Sequence, residues 1–262
     1  MSDERAESSS WRRFLTGEDD PRALKIQRSI FRHVPSAPHC KMCEAPFRGI
    51  GGALLAPLGY RQWPKSPRFC QSCRRSLAKF GLGGAEVPVT MLFADLRDST
   101  GLAERMRAAD FGRLLNRFYL VADAAIADHQ GIVERHMGDG VVGQFLPVFA
   151  GAMHAAQGLA SARELMAKVR SSNGELWAPV GIGLATGTAY VGVVADSDEP
   201  DDFTTLGDVV NTAARLGSVA AAGEILLTAP AAAAAGVEAT AENSTTLELK
   251  GKSEPFPVVR LG

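Results

Sequence analysis

The chain has 262 residues, with 46% hydrophobic residues, 22% charged residues and a formal net charge of −1. That balance is ordinary for a globular protein with a sizeable core, either one large domain or a medium domain with a small companion. No run approaches the roughly 20 apolar residues of a membrane helix, and the polar start Ser2-Asp3-Glu4 is unlike a signal peptide. A cytoplasmic location without membrane contact is therefore expected, and with it four cysteines that are not structural disulfides. The charge is uneven: residues 1–85 carry 15 Lys and Arg against 7 Asp and Glu, whereas residues 86–262 carry 13 against 22. Such asymmetry points to two parts with different partners.

Residues 1–20 are polar, and a disordered tail is expected there. Asp20-Pro21 offers an N-cap followed by proline, and Ala23, Ile26 and Ile30 recur at helical spacing, so a short packing helix follows. Residues 21–85 combine this helix with a Cys-rich module that ends in a linker-like Gly81-Leu82-Gly83-Gly84. Cys40-Lys41-Met42-Cys43 and Cys70-Gln71-Ser72-Cys73 form two Cys-x-x-Cys knuckles with 26 residues between them. Four thiolates in two such pairs suit tetrahedral Zn²⁺. A four-cysteine iron–sulfur cluster, a thiol switch, unligated thiols, or substitution by His33 or His39 are the alternatives. The basic surplus permits nucleic-acid contact, but solvation of a small metal domain is the simpler reading.

From about residue 86 the pattern becomes regular. Val89–Ala94 reads as a strand, and Phe111, Leu114, Leu115, Phe118, Val121, Ala125 and Ile126 share one face of a long helix. Residues 131–136 restart a strand, Gly138-Asp139-Gly140 turns it, and Val141–Phe145 returns. A second long helix spans about 148–170. Strands at 180–186 and 189–194 flank Gly187, a helix covers 208–218, and strands follow at 225–228, 246–249 and 256–260. The order βαββαβ predicts an α+β domain over 86–262, an antiparallel sheet with helices packed on one face.

Chemistry gathers at a few positions. Asp95 ends an apolar strand and Asp139 sits in the glycine-flanked turn, so a sheet edge can bring both carboxylates together. Neighbouring carboxylates repel unless a cation lies between them, and hard oxygen ligands select Mg²⁺ or Mn²⁺. Leu96-Arg97-Asp98-Ser99-Thr100-Gly101 leads from the strand into a helix whose first amides suit phosphate. Asn211 and Arg215 lie four apart on one helix face. A planar guanidinium that stays protonated suits charge building on a phosphate.

Together, FADLRDST, GIVERHMGDGVVGQF, VGIGLATGTAYVGVV, TTLGDVVNTAARL and LELKG resemble, in family order over about 175 residues, the successive motifs of class III adenylyl and guanylyl cyclase catalytic domains. The resemblance implies a ferredoxin-like fold and a head-to-tail homodimer with active sites shared across the interface. It implies that Asp95, Leu96 and Asp139 carry two Mg²⁺ or Mn²⁺ ions per site and that Asn211 orients the ribose. Arg215 would stabilise the α-phosphate, Lys250 would contact the β- and γ-phosphates, and Asp98, Ser99 and Thr100 would help to cradle the substrate. Arg135 stands where the family commonly has a purine-reading Lys, and Thr204 stands at its partner position. A guanidinium can donate to adenine N1 and equally to guanine O6, but neither position is acidic, as a guanine site usually wants; ATP is the expected substrate and GTP the alternative. A non-catalytic nucleotide sensor or a zinc-ribbon nucleic-acid binder is the rival of another class. The filling of all four metal, Asn and Arg positions argues against it.

Overall fold

The computed structural model describes residues 2–19, 22–34, 38–40, 42–63, 69–80, 83–194, 202–248 and 255–262. In chain order these form α1 (Ser2–Thr16), α2 (Arg22–Phe31), α3 (Gly49–Leu55), α4 (Gln71–Ala78), β1 (Gly83–Leu96), α5 (Ser99–Arg105), α6 (Ala108–Asp128), β2 (Ile132–Met137) and β3 (Gly140–Phe145). There follow α7 (Pro147–Ala150), α8 (His154–Lys168), β4 (Val180–Val194), β5 (Asp202–Leu206), α9 (Asp208–Val219), β6 (Ile225–Thr228), α10 (Ala229–Ala234), β7 (Ser244–Leu247) and β8 (Phe256–Leu261). No described helix is long and apolar enough to cross a membrane. The residues divide into two compact units, Met1–Val87 with Tyr190–Leu206, and Pro88–Ala189 with Gly207–Gly262.

The larger unit follows from strand alternation. Ile225 and Leu227 of β6 join Phe118, Ala122 and Ile126 of α6 and Leu159 and Leu165 of α8 in one core. The intervening Leu226 faces the other way, onto Leu216 and Ala220 of α9 and Val258 of β8. Period two thus divides the apolar residues between two faces, and α9 lies opposite the long helices rather than beside them as expected. Phe118 and Leu165 are fully buried, each stabilising the fold by roughly 1.5–3 kcal/mol. Gly183 and Gly217 let α9 lie directly on the sheet. A Cβ at Gly183 would come within 2.2 Å of the Gly217 nitrogen, and one at Gly217 within 2.9 Å of Phe93 Cβ.

Strand order is β2-β3-β1-β4-β6-β8-β7, with β5 paired to β4 off this path. The subset β1-α6-β2-β3-α8-β4 has the order β2-β3-β1-β4, the ferredoxin-like arrangement expected. Pairs β1–β3, β2–β3, β4–β5, β6–β8 and β7–β8 are antiparallel, whereas β4–β6 is parallel. The parallel pair departs from the all-antiparallel expectation because β6 is reached through the crossover helix α9. Strand β4 runs unbroken through Gly187, where two strands were expected. Strand β5 and α10 are additional; Thr228 caps α10 by accepting from the Ala231 N–H at 3.2 Å.

A polar network crosses the core. Thr90 Oγ1 hydrogen-bonds His154 Nδ1 at 2.8 Å and Thr186 Oγ1 at 2.7 Å. Burial holds the His154 imidazole below its ordinary value of 6.5. A histidine depressed in the folded state costs no stability above the unfolded value, because both states are neutral there. As the pH falls below about 6.5, the unfolded chain takes the proton first and the native state loses ground. Thermal unfolding of the wild type is expected to weaken below that pH, and His154→Asn to flatten this acid dependence; an unchanged slope in the variant would remove His154 as its source.

The smaller unit departs from expectation at both ends. In place of a disordered tail there is α1, whose Trp11 and Leu15 are fully buried. The Trp11 and Phe14 rings lie 5.0 and 4.9 Å from the Phe80 ring, a burial large enough to order the segment. Gly83 and Gly84, expected as linker, open β1. A Cβ at Gly84 would lie 2.3 Å from the Val191 oxygen, so glycine there serves close backbone approach rather than flexibility.

Candidate active site

Register places the two carboxylates. Asp95, near the end of β1, pairs with Gly140 at the start of β3, and the Leu96 N–H donates to the Asp139 carbonyl at 3.1 Å. Asp95 and Asp139 therefore line one cleft of about 240 Å³, together with Phe93, Gly140, Gly217 and Ser218. Burial pushes the Asp95 carboxyl above its ordinary range; Arg97 opposes this and the Asp139 charge adds to it. Two carboxylates sharing a partly buried cleft are a donor set suited to a hard divalent cation.

Four residues to which sequence reasoning gave no role shape this site. Arg97 donates to the Asp95 carboxylate and to the Ser218 carbonyl at the end of α9, tying strand to helix. Tyr119 of α6 donates its hydroxyl to the Gly138 carbonyl, within the turn that carries Asp139. Its ring stacks on His136 at 4.5 Å, and His136 Nε2 lies 2.8 Å from Asp123 Oδ1, so α6 braces the turn. Arg97 was visible inside the motif; nothing in the spacing of α6 marked Tyr119.

The other expected residues are dispersed. Asp98 stands in left-handed conformation (φ 55°) before α5, and Arg105 at 2.7 Å holds its exposed carboxyl below the ordinary range. Ser99 and Thr100 begin α5. Arg135 is half exposed and pairs at 2.6 Å with Glu134, whose side chain is buried, at a register shift in β2. Thr204 is half-buried on β5, opposite Gly192. Asn211 is exposed and Arg215 half-buried on α9; neither is in the lining of the Asp95 cleft, to which α9 contributes Ala214, Gly217 and Ser218. Lys250 lies outside the described residues.

In the smaller unit Cys40, Cys43, Cys70 and Cys73 converge, their sulfurs within 4.8 Å of one another. The first knuckle is a tight turn closed by the Cys40 N–H on the Ala45 carbonyl at 2.8 Å. The second opens α4: Cys70 is its N-cap, and its sulfur accepts from the Cys73 N–H at 3.3 Å. His33 and His39 instead meet the backbone carbonyls of Ser29 and Val34 and stand outside the cluster.

Comparison with known proteins matches residues 85–258 to the family described as Adenylate and Guanylate cyclase catalytic domain. The chain belongs to this family. An uncharacterized protein of Mycobacterium tuberculosis is 32% identical to the cyclase chain over 179 residues, 68% of this chain and 32% of its own length. An adenylate cyclase of Anabaena cylindrica is 32% identical over 133 residues, covering 49% of this chain and 26% of its own length. The chain thus spans about a quarter to a third of these relatives. Among solved structures, the guanylyl cyclase Cya2 superposes with a TM-score of 0.56 at 26% identity, over 68% of this chain and 93% of its own. The adenylyl cyclase CyaB from P. aeruginosa does so with a TM-score of 0.53 at 25% identity, over 67% and 93%. The cyclase neighbours therefore include both substrate types.

Proposed function

We propose that the protein converts ATP to 3′,5′-cyclic AMP and pyrophosphate at sites shared across a head-to-tail homodimer, in the cytoplasm. The observation that carries this reading is that Asp95 and Asp139 line the same cleft within a cyclase catalytic domain. The ribose 3′-oxygen attacks the α-phosphorus, its proton is lost, and the bond to the bridging oxygen breaks to release pyrophosphate. Two Mg²⁺ or Mn²⁺ ions held by Asp95, Leu96 and Asp139 would supply acidity to the 3′-hydroxyl and charge to the triphosphate. Asn211 orients the ribose, and Arg215 takes up charge on the α-phosphate through its fork of donors. Both act in the partner subunit's site, consistent with their position outside the Asp95 cleft of their own chain. Asp98, Ser99, Thr100 and Lys250 serve the phosphates. Cys40, Cys43, Cys70 and Cys73 hold zinc, and their module regulates the dimer by shifting its population; nucleic acid is not a partner.

Arg135 and Thr204 read the purine. The Arg135 guanidinium donates to adenine N1, and the neighbouring Glu134 carboxylate is buried in its pair with Arg135 and so withheld from guanine. Guanine N1–H and N2–H₂ then go unpaired, at about 1–3 kcal/mol, or roughly ten- to hundredfold in selectivity. The measurement is kcat/KM for ATP and for GTP with Mn²⁺, in wild type and Arg135→Lys. ATP is expected to be favoured by that factor and the variant to sharpen it. A preference for GTP would replace the substrate and leave the cyclase chemistry standing.

A further inference from the structure

The Cys module contains a fully buried arginine. Arg28 of α2 is 1% exposed. Its guanidinium donates to the Met42 carbonyl at 2.8 Å, inside the Cys40–Cys43 knuckle, and lies 3.5 Å from the carboxylate of Glu44, next to Cys43. A buried guanidinium is costly unless negative charge surrounds it. Glu44 supplies one such charge, but it is itself nearly buried, at 9% exposure. The Cys40 and Cys43 sulfurs of the knuckle that Arg28 clasps lie close enough to add to that charge.

The sulfur spacing narrows the metal. A tetrahedral ion with bonds of about 2.3 Å holds its sulfurs about 3.8 Å apart. Cys43 and Cys70 sulfurs stand 3.7 Å apart, and all four lie within 4.8 Å. An iron–sulfur cluster must place several metal atoms and bridging sulfides inside its ring of thiolates, and so demands a wider ring. One zinc ion with four thiolates carries two excess negative charges, which is the charge that a buried guanidinium answers.

We propose that the four cysteines form a mononuclear zinc tetrathiolate and that Arg28 is its built-in counter-charge, which makes α2 part of the metal site. The proposal rests on the zinc reading of the cysteines given above. Zinc binding displaces the thiol protons, and the anionic centre so formed holds Arg28 and the helix that carries it. Partners in this outer position typically change metal affinity 10–100-fold. Glu44 carries the opposite charge, so it competes with the thiolates for Arg28.

The test uses the full chain. Elemental analysis after anaerobic purification is expected to give one zinc per chain without sulfide. Zinc affinity is then measured by competition with a chromophoric chelator. Arg28→Met is expected to bind zinc 10–100-fold more weakly, Arg28→Lys to recover most of the loss, and Glu44→Gln to bind at least as tightly as wild type. A merely structural pair would instead weaken zinc in both Arg28→Met and Glu44→Gln. That result, or equal weakening by Met and Lys at position 28, or zinc held by Arg28→Met as tightly as by wild type, overturns the counter-charge and leaves the zinc centre. Absence of zinc, or iron with sulfide, overturns both. If Arg28→Met does not fold, the Arg28→Lys and Glu44→Gln affinities decide.

Discussion

Asp95→Ala or Asp139→Ala is expected to lower cyclic-nucleotide formation a thousandfold or more while leaving the fold in place. The two side chains line a cleft rather than the core clusters, so their loss opens no cavity among apolar neighbours. A metal ion contributes several kcal/mol of transition-state stabilisation, and each 1.4 kcal/mol is about tenfold in rate. Asp95 also holds Arg97, which keeps its second contact to the Ser218 carbonyl when the carboxylate is gone. Asp95→Asn separates the two roles, because an amide oxygen still accepts from Arg97 but brings no charge to a cation. Asn and Ala are therefore expected to be equally inactive and to unfold at nearly the wild-type temperature. Turnover with Mn²⁺, read beside thermal unfolding, is the measurement. Full activity in either alanine variant would end the two-metal reading.

Local chemistry made the larger unit legible. The apolar face of α6, the apolar run of β1 and the Gly-Asp-Gly turn are patterns within about 20 residues, and they put Asp95 and Asp139 at strand ends. What escaped depends on partners distant in the chain. Helix α1 looked unable to bury anything because its partner for Trp11, Phe80, comes 69 residues later. Gly83 and Gly84 looked like a linker because nothing local reveals the close approach to Val191 and Gly192. Strand β5 was not expected because its pairing partner is the far end of β4. Tyr119 looked like one more aromatic residue on a helix, since its role rests on a carbonyl 19 residues away. The cysteine pairs were legible as a ligand set from spacing alone, whereas Arg28, 14 residues from Met42, was not.

Mixing two inactive chains is expected to restore activity. If Asp95 and Arg215 serve one site from different subunits, Asp95→Ala and Arg215→Ala each leave both sites of their own homodimer incomplete. A mixed dimer then has one site with both losses and one with none. Random exchange makes half of the dimers mixed, and a two-fold dimer has two equivalent sites, so about a quarter of wild-type turnover is expected. The motive is local: α9 meets the Asp95 cleft through Ala214, Gly217 and Ser218, while Arg215 is outside its lining. Gly183 and Gly217 fix that docking by backbone contact, so Arg215 cannot be brought into the cleft of its own chain by a small slide of the helix. Differently tagged chains, co-purified through both tags, establish exchange independently of activity, and this sample, in which every dimer is mixed, is expected to reach about half of wild-type turnover because one of its two sites is intact. Turnover that stays at the level of the separate variants in such a sample would mean that Asp95 and Arg215 work within one chain, and the shared site would have to be given up.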